Sequence, residues 1–194
     1  IRDLTGTKLP GLYADLSKKN RGNLLIYKRI VYLCSPIKSI GAFAFFGCEN
    51  ITQFFIPNSV KFICDYAFSY CSNMKKIRLP DKMERIADFA FEYSGLEKVS
   101  IPRGIKSIEY ATFFGCRLSD VIIPDGVESI AGSAFGNMHL NNVYFPESVT
   151  WIETQERYAS FWHGQGLSNT TFHVYKGSYM EQVAKKEKFI VKYR

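Results

Sequence analysis

The side chains of this sequence that could do chemistry are its cysteines, histidines and acidic groups. There are five cysteines, Cys34, Cys48, Cys64, Cys71 and Cys116. The odd count, with no CxxC pair, reads neither as a disulfide scaffold nor as a structural zinc site. His139, His163 and His173 have no second histidine four residues away and no metalloprotease motif, so no metal ligand pair is legible. No nucleophile elbow marks a Ser-His-Asp triad. The Gly-x-Gly at 164–166 lacks the strand-to-helix context of a phosphate loop. No cofactor and no metal is expected, and the chain reads as non-enzymatic.

The elements that would position any side chain follow from a repeat. A large apolar residue followed by proline recurs at Ile56-Pro57, Leu79-Pro80, Ile101-Pro102, Ile123-Pro124 and Phe145-Pro146, at intervals of 22 or 23 residues. Other apolar columns keep step. One is Ile40, Ile63, Ile86, Ile108, Ile130 and Ile152; another is Phe45, Phe68, Phe91, Phe113 and Phe135. Cys48, Cys71 and Cys116 share a column with Ser94 and Met138. The unit I-P-x-x-V-x-x-I-x-x-x-A-F-x-x-C-x-L-x-x-V-x-I-P has the length of a leucine-rich repeat. Its L-x-x-V-x-I segment ends in a two-residue alternation that suits a short strand with one buried face, and the proline then stops that strand. One unit cannot bury its apolar face alone, whereas stacked units can. The Phe column is therefore core, and the aligned cysteines behave as small buried hydrophobes. Stacking brings Cys48 and Cys71 within disulfide range, but parallel side chains make poor bridge geometry, which favours free thiols.

The segments Ile-Pro-Asn-Ser-Val-Lys-Phe-Ile (56–63) and Ile-Pro-Asp-Gly-Val-Glu-Ser-Ile (123–130), with the Ala-Phe-x-x-Cys step from Ala67 to Cys71, resemble the BspA-like leucine-rich repeat family over roughly residues 24–194. Departures are Cys34 for proline, Thr112 for alanine, and Ser94 and Met138 for cysteine. The expected fold is an α/β leucine-rich-repeat solenoid of about six 22–23-residue rungs. Residues 1–33 would be an N-terminal cap (a helix over 10–21 and a hairpin), 34–175 the solenoid, and 176–194 a C-terminal cap. In that last cap Ser178 and Glu181 form a capping box, Tyr179, Val183 and Ala184 face inward, and Phe189 to Tyr193 form a closing strand. The resemblance implies a secreted or cell-surface protein that mediates adhesion to host or neighbouring-cell proteins. A structural spacer within a larger surface protein, and a carbohydrate- or polyanion-binding module, are the alternatives.

Composition agrees with a folded array. In 194 residues, hydrophobic types make up 46% and charged types 22%, and there are 16 Phe, 12 Tyr and 2 Trp. The longest apolar runs fall far short of the roughly 20 residues of a spanning helix, so no membrane insertion is expected. The chain starts at Ile1 without a signal-like segment. The net charge of +7 permits an anionic partner. Nucleic acid is not expected, because aromatics do not interleave with bases along one groove. The basic C-terminal run (Lys185, Lys186, Lys188, Lys192, Arg194) reads as the polar face of the cap.

The informative positions are those that each strand turns outward. They form one column of Phe55, Arg78, Ser100, Ile122 and Tyr144, and another of Gln53, Lys76, Lys98, Asp120 and Asn142. Apolar residues in the first and clustered cations at Lys75, Lys76, Arg78 and Lys98 make this the candidate ligand-binding face. A second candidate is the expanded last rung, where Ile152 reaches Phe161 in nine residues rather than five. It carries Trp151, Arg157, Tyr158, Phe161, Trp162 and His163, which either grip a partner or plug the end of the core. Capped ends favour a monomer.

Overall fold

The computed structural model describes residues 24–27, 30–33, 37–136, 138–153 and 169–194. The expected N-terminal helix, Cys34, and Arg157, Tyr158, Phe161, Trp162 and His163 of the expanded rung lie outside the described residues.

The L-x-x-V-x-I segments form one stack of short strands. It opens with the antiparallel hairpin β1 (Leu24–Tyr27) and β2 (Ile30–Leu33), and continues with β4 (Gln53–Phe55) and β6 (Lys76–Arg78) in parallel. After the rung at 98–100 come β9 (Asp120–Ile122), β11 (Asn142–Tyr144), β13 (Thr171–Val174) and β14 (Ile190–Tyr193), all parallel. The central residue of each three-residue strand is buried and its two neighbours turn outward, as the alternation requires. A second stack arises where the apolar period of three brings the Ile column inward. Its two-residue strands are β3 (Ser39–Ile40), β5 (Phe62–Ile63), β7 (Arg85–Ile86), β8 (Ser107–Ile108), β10 (Ser129–Ile130) and β12 (Trp151–Ile152). The sequence reading anticipates only the first strand of each rung.

Both stacks are interrupted at the same place. The first narrows to the single bridge Lys76 to Lys98, and the second breaks between β7 and β8. There the Ile-column interval falls from 23 residues (Ile40, Ile63, Ile86) to 22 (Ile108, Ile130, Ile152). The lost residue comes from the turn after Ser94, where Gly95 lies against the Ser72 backbone so closely that a Cβ would sit 2.1 Å from its carbonyl oxygen. The core runs through the interruption. Phe45, Phe68, Phe91, Phe113 and Phe135 are fully buried and stack with ring centroids 5.3–5.5 Å apart.

The third side of each rung is a turn rather than a strand. Its backbone N–H groups bond to the next rung at every second residue, as from Phe43 to Asp65, Phe45 to Ala67 and Gly47 to Ser69. Two residues four apart in each of these turns sit at left-handed φ, as at Phe43 and Gly47, Tyr66 and Tyr70, and Phe89 and Tyr93, the non-glycine ones at 49–58°. At the C-terminal end, α1 (Tyr179–Lys186) lays Met180, Val183 and Ala184 onto the end of the core, and β14 closes the first stack. Tyr179 packs there half-buried. Ser178 caps α1 by accepting from the Glu181 N–H at 3.2 Å. The returning carboxylate bond goes to the Gly177 N–H, one residue before the cap.

Candidate functional site

Pairing register sets the outward residues of the first stack side by side in two groups, one on each side of the interruption. Gln53 lies beside Lys76 and Phe55 beside Arg78. Lys98 bridges Lys76, with exposed Ser100 two residues on. Asp120 lies beside Asn142 and Ile122 beside Tyr144. The structure divides this face into two parts of different character.

The C-terminal part is an internally satisfied polar network. Ser119 and Asn142 both donate to the Asp120 carboxylate, at 2.8 and 2.7 Å. Those bonds, Asn142 first, hold the Asp120 carboxyl below its ordinary range. With its amide nitrogen so committed, Asn142 has only Oδ1 left for His173 Nε2 at 3.0 Å, so the histidine is the donor there. Partial burial, then Lys192 and Arg194, lower the His173 pKa, which leaves a neutral ring stacked 4.1 Å from Tyr144. Arg194 covers Tyr144 and Tyr175, at 5.8 and 5.1 Å from their ring centroids. Sequence reasoning did not include His173 or Arg194 in this face. The strand register of 171–173 against 142–144 would have placed them there, but the expanded rung hides that register.

The N-terminal part is open. Lys76, Arg78 and Lys98 are exposed, and none has a carboxylate within ion-pair distance among the described residues. Lys75, grouped with them by sequence, instead pairs with Glu97 at 2.9 Å. Phe55 is exposed at one edge of the cations, and Ile122 at the other retains 65% of its surface in solvent. Trp151, half exposed, belongs to the second stack and turns out from a different face.

Among the described residues, the three column thiols Cys48, Cys71 and Cys116 are buried. Cys48, Cys64, Cys71 and Cys116 are free. Cys71 and Cys116 donate to the carbonyls of Phe45 and Phe91, at 3.0 and 3.1 Å. Burial pushes Cys48 and Cys116 up to about 12, and Cys71 is raised as well. Such thiols are protonated and unreactive near neutral pH. Among the described residues no group of three His, Cys, Asp or Glu side chains could hold a metal ion.

A second surface escaped the sequence reading. On the turn side, Phe43, Tyr66, Phe89 and Tyr110 form a ladder with centroids 4.6–5.2 Å apart. Phe46, Tyr70, Tyr93 and Phe114 form another at 5.2–5.6 Å. Phe43, Tyr70 and Tyr93 are exposed. Where the left-handed position holds an aromatic, as at Tyr70 and Tyr93, that residue supplies the ring. Where it holds glycine, as at Gly47 and Gly115, the preceding Phe46 or Phe114 supplies it. At Gly115 a Cβ would lie 2.5 Å from the Tyr93 ring, so the glycine also makes room for the ladder. Aromatic residues at positive φ are uncommon, and no sequence signal distinguishes them from core positions.

With this geometry in view, the profile of the BspA type leucine rich repeat region matches residues 32–164, in six copies. The chain belongs to the BspA-type leucine-rich repeat family. Solved structures agree on the fold. A Treponema pallidum leucine rich repeat protein is 22% identical, with a TM-score of 0.58 over 81% of this chain and 79% of its own. A leucine rich cell surface protein from Faecalibacterium prausnitzii is 22% identical, with a TM-score of 0.51 over 76% of this chain. This chain covers 46% of that protein's length. No curated protein matches the sequence. Membership suggests a protein-interaction scaffold, in a class that is generally non-catalytic. Among the described residues no helix is long and apolar enough to cross a membrane.

Proposed function

We propose that this chain is a non-catalytic protein-binding module of a secreted or cell-surface protein, and that it engages an adhesion partner through the open half of the first strand face. The observation that carries this reading is the set Lys76, Arg78 and Lys98, unpaired among the described residues and bordered by exposed Phe55 and Ile122. Solvated surface lysines are common, but cations set between exposed apolar groups supply the charge for encounter and the apolar area for residence. The rung-to-rung register fixes the backbone that carries these side chains, so binding orders side chains and not the chain itself. The polar network around Asp120 and Asn142 forms the rim. The partner is therefore an acidic protein surface with an apolar centre.

The test is a panel of host extracellular-matrix and bacterial surface proteins presented to the intact chain and to Lys76→Glu with Arg78→Glu. Binding to a panel member should fall at least tenfold in the variant, and should weaken with salt. A panel member that binds both proteins equally would exclude this face as the site. Binding to a glycan array instead of to proteins would favour the carbohydrate reading.

A further inference from the structure

The turn face carries opposite chemistry to the strand face. Over the equivalent stretch of each rung (39–50, 62–73, 85–96, 107–118 and 129–140), this side of the solenoid carries Glu49, Asp65, Asp88, Glu92 and Glu109 against Arg85 and Arg117 at its margins, and no lysine. A chain of net charge +7 thus presents one side that is net acidic. The ion pair that reaches it among the described residues is a loose one, Arg85 to Glu109 at 3.6 Å. Asp88 and Glu92 are half-buried next to the rings. Burial raises the Asp88 carboxyl, with Glu109 and Asp65 pushing the same way, and burial raises Glu92. A cation brought against them would relieve that cost.

From the juxtaposition of the two aromatic ladders with these half-buried carboxylates, of which Glu92 accepts from the Ser69 hydroxyl at 3.0 Å, we propose that the turn face is a second docking surface, for an extended polypeptide segment that alternates basic and apolar residues. Charge selects a basic occupant. In the first ladder, Phe43, Tyr66 and Phe89 lie parallel within 8° at 4.6–4.9 Å, so the faces between these three rings are covered. Tyr110 meets Phe89 edge-on at 72°, and the second ladder is tilted throughout, at 57°, 33° and 87°. Aliphatic side chains pack against edges and into the seam between the ladders, while arginine or lysine reaches Asp88 and Glu92. Four rungs are spanned by a strand of roughly five residues at about 3.3 Å per residue. This surface is independent of the cationic strand face, so one module can hold an acidic and a basic partner at once.

The probe is a fluorescent peptide of roughly eight residues, alternating arginine and leucine, added to the intact chain and followed by anisotropy. Controls replace its arginines with glutamate or its leucines with serine. Tyr70→Gly with Tyr93→Gly removes two rings at left-handed positions where glycine is unstrained, as Gly47 and Gly115 already are. Asp88→Asn with Glu92→Gln removes the charge and retains hydrogen bonding. The expected result is binding of the arginine–leucine peptide, at least tenfold weaker in either double variant, and no comparable binding of either control peptide. Lys76→Glu with Arg78→Glu should bind it as the parent does, which separates this surface from the strand face. Absence of binding by the parent, equal binding by both double variants with unchanged circular dichroism, or equal binding of the arginine–serine peptide would each overturn the proposal.

Discussion

A phenylalanine in the middle of the core column touches its own kind on both sides. Phe91 lies 5.3 Å from Phe68 and 5.5 Å from Phe113, with no exposed surface. Removing that ring opens a cavity that neighbouring rungs cannot fill, because their backbones are tied by hydrogen bonds on three sides. Phe91→Ala should therefore cost about 3–5 kcal/mol, read as a lower denaturant midpoint. The buried thiols make a different prediction. Burial raises Cys48 and Cys116 from an ordinary value near 9 to about 12, so the folded chain holds protons there that the unfolded chain releases. Their share of stability is intact below pH 9 and is lost as pH climbs from 9 to 12. A Cys48→Ala, Cys116→Ala variant should show a flatter stability profile across that window in denaturation at fixed pH steps. These residue roles were readable from the sequence, because a column of identical apolar residues at a fixed interval has few meanings other than core.

Elements were less evenly legible. The strands around Val121 and Val143 follow from alternation, and the N-cap of α1 from Ser178, although the returning Glu181 bond lies one residue off the expected capping box, at Gly177. The two-residue strands of the second stack have no alternation to read, and only the register of neighbouring rungs pairs them. The turn side was opaque for another reason: Tyr66, Tyr70 and Tyr93 adopt a backbone conformation usually reserved for glycine or asparagine, so their spacing looks like core spacing. Of the candidate site, the outward columns were legible, but not their division into an open cationic half and a closed network that includes His173 and Arg194. The cap gives the clearest test at this scale. Lys185 first, then the Gly177 N–H and the Tyr193 hydroxyl, hold the Glu181 carboxylate down to about 2. Glu181 ties the helix to its own N-terminus and to β14. A depressed carboxyl stabilises the fold above its unfolded value and loses that contribution as pH falls from about 4.5 to about 2. Glu181→Gln should lower the melting temperature at pH 7, and the gap to the parent should close over that acid range, followed by circular dichroism. Ser178→Ala should cost about 1 kcal/mol through loss of the N-cap bond.

At the scale of the molecule, a stack of rungs has no natural end: the last rung offers the same apolar surface and the same unpaired strand edge that its predecessors hide. Here Phe172, fully buried, meets Phe189 at 4.6 Å, while β14 pairs along the whole of β13 and α1 covers the core beside them. Removing residues 176–194 would expose Phe172, Val174 and the edge of β13 together, and would take away Lys185, Lys186, Lys188, Lys192 and Arg194, whose charge opposes edge-to-edge contact. The remaining rungs keep their own ladders and core stacking, so the truncated chain should retain most of its β circular dichroism. It should nevertheless self-associate, because an edge bared together with Phe172 and Val174, and stripped of the basic residues, is a template for another copy. Light scattering on a sizing column distinguishes the cases: the full chain is expected as a single monomeric species across the concentrations tested, and the truncated chain as larger species that grow with concentration. A truncated chain that stayed monomeric with its β signal intact would mean that the cap is dispensable for closing this solenoid. A Phe189→Ala variant of the full chain, which opens the seam without removing the charges, should fall between the two.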